Sequence, residues 1–210
     1  MIPRPALRLI AAAGAASLLA GCISVFPDAD PSQLYRFEGA LQPDRATAPG
    51  SSTFGVFLPS SGFTEASSGD RILTMTGPEA AYIASARWVA PAEVLFQEAV
   101  ERAFEVNPGP ARLVGRGGLR QAERTLRLDV RRFEAVYDNG QKAPPEIVVR
   151  VQAGLVARND RSFVGEQAFE ARVRADDNRV SEIVEAFDEA TAEVLTELVD
   201  WTNRTAAPAS

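Results

Sequence analysis

The sequence predicts an α/β protein: a single domain with a mixed, largely antiparallel sheet packed by two main helices. Three observations carry that prediction. Apolar residues alternate with period two in several short segments, most densely between residues 111 and 174. Two segments, opening near Pro91 and Asp177, instead repeat apolar residues at 3,4 spacing. The chain has 210 residues, 46% hydrophobic and 24% charged, the profile of one ordinary globular domain.

Residues 1–21 read as a targeting segment to be removed before fold reasoning. Arg4 and Arg8 give a cationic start, and Leu9 to Ala20 is an uncharged run too short to span a membrane, which needs about 20 residues. The run ends in Leu19-Ala20-Gly21-Cys22, which resembles a bacterial lipobox. Small residues suit a protease cleft, and a thiolate is the side-chain nucleophile suited to alkylation. The plainer alternative is a cysteine buried in an apolar helix. The lipobox resemblance implies Cys22 as the site of a covalent acyl and diacylglycerol lipid, palmitate among its chains, with no other cofactor. The processed chain would begin at Cys22, and losing Arg4 and Arg8 would take the net charge from −6 to −8. Ile23 stands where Asp signals inner-membrane retention in enteric bacteria. An outer-membrane anchor with the domain facing the periplasm is therefore expected, with inner-membrane anchoring the alternative.

Residues 22–33 form the lipidated cysteine and a tether, with Pro27, Pro31, Asp28 and Asp30. Fully extended, Ser24 to Gln33 reaches about 33–36 Å. The domain is expected over 34–205. Leu34 to Phe37 and Thr53 to Leu58 are strand candidates, separated by a Pro/Ala/Gly/Ser-rich loop over 42–52 that reads as mobile. Pro59 to Gly69 breaks the pattern. Short strands over 71–74 and 81–85 flank the turn Thr76-Gly77-Pro78-Glu79. Pro91 suits the first helical position, and Val94, Leu95, Ala99, Val100, Ala103 and Phe104 make a helical stripe ended by Asn107-Pro108-Gly109-Pro110. After a short strand over 111–115, Leu126, Leu128 and Val130 share one parity, and Phe133, Ala135 and Tyr137 the other. A bulge near Arg131–Arg132 reconciles them. Asp138-Asn139-Gly140 and Asn159 to Ser162 turn the chain, so Ile147 to Leu155 and Phe169 to Val173 complete three consecutive antiparallel strands. Asp177 or Asn178 is a candidate cap for the last helix, whose stripe runs from Val180 to Trp201. Residues 206–210 read as a disordered tail.

Composition excludes several chemistries. The sequence has no His, so Ser-His-Asp and Cys-His engines and imidazole metal sites are out. One Cys cannot form an internal disulfide or a CxxC pair. An acidic pI near 4.9 argues against nucleic acid as a partner. Gly115-Arg116-Gly117-Gly118 lacks the Lys-Ser/Thr of a phosphate loop and precedes a strand pattern, so a turn is the expectation. The Arg-rich stretch from Arg112 to Arg132 either meets phospholipid headgroups or an acidic partner, or solvates strand faces. The acids Asp176, Asp177, Glu185, Asp188 and Glu189 lack an EF-hand pattern and read as helix solvation, so no metal is expected.

Four segments in order carry a further resemblance: Leu34-Tyr35-Arg36-Phe37, Ala86-Arg87-Trp88-Val89-Ala90-Pro91, Leu128 to Ala135, and Phe169-Glu170-Ala171 followed by the helix closing in Trp201. Together they resemble the ABC-type transport auxiliary lipoprotein family, the PqiC-like proteins. Ser60 to Tyr82 shows no matching pattern. The resemblance implies an anticodon-binding-domain-like α/β fold and a non-catalytic role beside an MCE-domain protein and an ABC permease and ATPase that move phospholipids or other hydrophobic molecules. It leaves room for homo-oligomers. Arg87 and Trp88 are the candidate partner contact, since Trp and Arg concentrate at interface hot spots. The alternative packs Trp88 under the helix that begins at Pro91. A lipid carrier would need an apolar cavity. A carboxylate hydrolase or a purely structural lipoprotein complete the alternatives.

Overall fold

The computed structural model describes residues 32–39, 53–107 and 109–205. The targeting segment, Cys22, the tether up to Pro31, the 42–52 loop and the 206–210 tail lie outside the described residues. The element order is β1 (Gln33–Tyr35), β2 (Phe54–Phe57), β3 (Gly62–Phe63), α1 (Glu65–Ser68), β4 (Arg71–Thr76), β5 (Glu79–Trp88), α2 (Ala92–Val106), β6 (Ala111–Val114), a 3-10 turn (Arg116–Gln121), β7 (Ala122–Val136), β8 (Glu146–Ala157), β9 (Phe163–Arg174) and α3 (Val180–Thr205). This is the expected α/β domain with two main helices.

β7 organises the sheet. One of its edges pairs antiparallel with β8 along almost its whole length, and β8 pairs antiparallel with β9. Its other edge is shared end to end by β2, β3 and β4, all parallel to it. β4 continues to β5 and β1, and β2 continues to β6. The long pairings are antiparallel, as the sequence suggests, but five of the eight pairings are parallel. The bulge expected near Arg131 is present, with the β7–β8 register shifting between Val130 and Arg132. It moves Phe133 and Ala135 onto the face already used by Leu126, Leu128 and Val130. β2 also runs very close to the start of β7: a Cβ at Gly55 would stand 2.2 Å from the Gln121 carbonyl oxygen, so only glycine fits.

Both long helices bury their stripes in one core with the same sheet face. On α2 the buried set includes Phe96 as well as Leu95, Ala99, Val100, Ala103 and Phe104, whereas Val94 is 41% exposed. Pro91 is the cap residue rather than the first helical one. α3 buries Ile183, Phe187, Val194, Leu195, Leu198 and Trp201, as its spacing dictates. The cap expectation for α3 is corrected. Asp177 pairs with Arg179 and accepts from the Asn178 N–H, while Asn178 accepts from the Tyr137 hydroxyl and donates to the Gln141 carbonyl. Those partners take the side-chain oxygens that a cap would use.

The other sheet face is open. Toward the β8 start it carries a lattice of ion pairs: Arg150 with Glu170, Arg172 with Glu146 and Glu170, and Arg174 with Asp138 and Glu146. Burial alone would raise the Glu170 pKa, but its arginine neighbours outweigh it and hold the carboxyl low. The bidentate hydrogen bond from Arg174 likewise lowers Asp138. A lowered folded-state pKa stabilises the fold above the unfolded value, and that contribution is lost as pH falls through the folded value. The Asp138→Asn variant is therefore expected to flatten the acid limb of the stability profile below about pH 4. Urea midpoints measured from pH 7 to pH 2 check this; an unchanged limb would remove Asp138 from the account.

Candidate functional site

The Arg87–Trp88 corner forms where β5 ends. Trp88 is 2% exposed. Its indole meets Phe37 and Phe187 edge-on, with ring centroids 5.0 and 5.3 Å away, and Phe133 at 6.2 Å. Phe37, Phe133 and Phe187 come from three distant parts of the chain, so the indole joins sheet to helix. The partner-contact expectation for Trp88 is thus corrected: its ring has no free surface in the folded protein. Arg87 points the other way, its side chain 42% exposed and 3.1 Å from Asp70. Successive strand residues face opposite sides, which separates the two. Trp201 also packs, edge-on to Phe169 at 5.9 Å.

A groove of about 1120 Å³ opens at the carboxyl ends of the parallel strands β2 and β6, beside α2. Ligands of open α/β sheets commonly sit beyond such strand ends. Leu58, Phe104, Leu113, Val114 and Leu119 give it an apolar floor. Glu101 and Glu105 form one rim, a helical turn apart, and Arg112 lies opposite. Gln97 accepts from Ser61 and donates to Glu101 at 3.2 Å, bridging the β2 exit to α2. Arg112 donates to the Gly109 and Ala111 carbonyls. The Asn203 side chain accepts the Ala111 N–H at 3.0 Å, tying the α3 end to β6. A Cβ on Gly109 would stand 2.3 Å from that amide, so glycine lets the two meet. An open groove with apolar floor and acidic rim suits a segment of another protein. Sequence reasoning did not single it out, because its residues are scattered over four elements. One signal was available: like charges at Glu101 and Glu105, an i,i+4 pair that disfavours an isolated helix.

Gly115 to Gly118 enters a 3-10 turn before β7, not a strand–loop–helix phosphate cradle. The acids singled out beside α3 bring no metal cluster together: among the described residues no group of three carboxylates or thiols could hold an ion. Asp188 instead accepts from the Glu38 and Gly39 N–H groups at 2.6 and 2.7 Å, fixing the strand-β1 exit on α3. No helix among the described residues is long and apolar enough to cross a membrane. Leu19, Ala20, Gly21 and Cys22 lie outside the described residues.

This is a two-layer α/β domain that presents surfaces: a groove, an ion-paired sheet face and an acidic helix layer. The chain matches the ABC-type transport auxiliary lipoprotein component family over residues 37–199, and it belongs to that family. It is similar to the crystal structure of a Xanthomonas campestris protein of family DUF330. The TM-score is 0.71 at 25% identity, covering 83% of this chain and 96% of that one. An uncharacterized protein shares the fold at TM-score 0.61 and 11% identity, covering 81% of this chain and 97% of that one. No curated protein matches the sequence. Membership makes the chain a lipoprotein component auxiliary to ABC-type transport.

Proposed function

We propose that this protein is a non-catalytic adaptor, anchored through lipid on Cys22 in the outer membrane and facing the periplasm. It serves an MCE-type ABC system that moves phospholipids or other hydrophobic molecules. The observation that carries the reading is the family match across most of the described domain, residues 37–199. The physical mechanism is tethering. Acyl chains fix one end, and a short linker holds the domain within about 33–36 Å of the bilayer. Confinement raises effective concentration, so weak docking suffices. The groove is open rather than enclosed, and both helix stripes are consumed by the sheet, which favours an adaptor over a lipid carrier.

The docking partner is a segment with apolar residues for the groove floor and cations for Glu101 and Glu105. Native protein, crosslinked mildly in its own membranes and purified, is expected to bring down an MCE subunit or ABC permease. Glu101→Lys with Glu105→Lys is expected to lower that recovery about tenfold, since like charges across an interface are costly. Recovery of lipid alone, with a monomer, would replace the adaptor by a carrier. Recovery of neither would sink both.

A further inference from the structure

Among the described residues four large apolar side chains are exposed: Leu34 (63%), Val89 (46%), Val94 and Phe163. Apolar residues scattered singly over a surface carry no message, but three of these four fall together. The β1–β5 register sets Leu34 opposite Arg87, on the sheet face away from Trp88. Val89 follows Trp88 directly and donates its N–H to the Tyr35 carbonyl at 2.8 Å. Val94 lies in the first turn of α2, its N–H bonded to the Pro91 carbonyl at 2.9 Å. From Ala80 to Ala92 the chain carries one charge, Arg87, and Asp70 pairs with it. Exposed Gln33, Ala84, Ser85 and Pro91 extend the uncharged surface.

Charge does not choose what covers this corner. Arg36 stands 4.0 Å from Glu38, Arg71 lies over the Tyr82 ring, and Arg87 is paired. Glu93 and Glu98 flank Val94 on α2 and make no ion pair among the described residues. Cations therefore do not exceed carboxylates, and an anionic surface gains nothing here over a zwitterionic one. Position chooses instead. The chain enters the domain through the corner itself, at Gln33, next to Leu34. Ser24 to Gln33 reaches at most about 33–36 Å, so along the chain the corner is the part of the domain nearest to Cys22. A small folded domain is about 30 Å across. A protein partner could stand between the corner and the bilayer only with that stretch pulled nearly straight. The bilayer needs no such clearance.

We propose that Leu34, Val89 and Val94 form a second membrane contact, entering the headgroup–acyl boundary of a zwitterionic bilayer. Three aliphatic side chains hold a bilayer weakly by themselves, since binding scales with the apolar area buried. Anchored through so short a stretch, they work at high effective concentration. The contact also fixes orientation. With the first turn of α2 on the membrane, Glu101 and Glu105 stand about 10 and 16 Å further along the same helix, which leaves the groove open to a partner. The inference rests on the lipid-anchor reading, so its test must report the two separately.

The probe is the full-length protein carrying Leu34→Trp, reconstituted in phosphatidylcholine vesicles with brominated acyl chains. Phe163→Trp is the reference: it lies on β9, five strand spacings across the sheet, about 24 Å away. Trp itself favours the membrane interface, and the reference carries the same bias. Wild type supplies the background from buried Trp88 and Trp201. Flotation reports the anchor. Quenching reports the corner. We expect the Leu34→Trp emission to fall by about half, as a ring reaching the headgroup–acyl boundary would. The fall should be the same when phosphatidylglycerol is mixed in, and the Phe163→Trp emission should stay unchanged. Adding Val89→Ser and Val94→Gln is expected to return the emission to the unquenched level, with the circular dichroism melt unchanged because these side chains are exposed. Protein that floats while Leu34→Trp stays unquenched overturns the proposal and leaves the corner to a protein partner. Equal quenching of Phe163→Trp also overturns it, as does quenching that requires phosphatidylglycerol. So does an emission already blue-shifted before vesicles are added, which would mean that a second copy covers the corner. Protein that fails to float refutes the anchor alone. Its free Cys22 thiol, the one cysteine in the chain, is then coupled to maleimide lipid in the same vesicles, and quenching is read in the same way.

Discussion

The Cys22→Ser protein is expected to leave the membrane fraction almost completely. A buried methylene contributes about 0.8 kcal/mol, and one myristoyl-length chain gives an association constant of only about 10⁴ M⁻¹. Anchoring therefore needs the two or three chains that a lipobox cysteine carries, and serine supplies no thiolate to accept them. Fractionation with a carbonate wash, followed by mass measurement of the N-terminal peptide, checks both halves of the claim. An unmodified Cys22 in wild type, or unchanged sedimentation of the variant, would remove the lipid anchor and with it the tethering mechanism.

Trp88→Ala is expected to be the most destabilising single substitution proposed. The indole is 2% exposed and touches three rings brought from β7, α3 and the segment after β1. Truncating a fully buried aromatic side chain to alanine costs about 3–5 kcal/mol. For a domain of this size that lowers the melting temperature by roughly 6–20 °C. Trp88→Phe should recover much of the loss, because most of the ring volume returns. A binding hot spot predicts the opposite pattern, in which partner recovery falls while the melt stays put. Thermal melts beside co-purification separate the two.

How much could be read from the sequence depended on the range of the interaction. The bulge near Arg131 was legible because apolar parity switches between Val130 and Phe133, a purely local signal. The α3 stripe was legible for the same reason over many turns. β3 and α1 were not, since a two-residue strand and a four-residue helix carry no periodicity. On α2 the expected stripe includes Val94 and omits Phe96, yet Phe96 is the buried one, its ring meeting Phe63 at 5.6 Å, and Val94 is exposed. Asp177 looked like a cap until Arg179 and Asn178 claimed it. Parallel pairing along β7 was invisible, because alternation says which face a residue takes and nothing about strand direction. The groove depends on the same long-range register, and so it could not be foreseen.

The arrangement along β7 has a consequence for how the chain reaches its fold. β2, β3 and β4 all lean on an edge that lies some sixty residues further along the sequence. Before β7 has emerged, the β4–β5 hairpin has its own partner and β2 can pair with β6, but β3 has no strand on which to form. The first third of the domain therefore waits for its template, and loop closure over such separations slows folding. During that interval Phe54, Val56 and Phe63 stay uncovered, which makes the half-made chain a substrate for aggregation or for a holding chaperone. Folding rate, more than final stability, is where substitutions in the first residues of β7 should be felt.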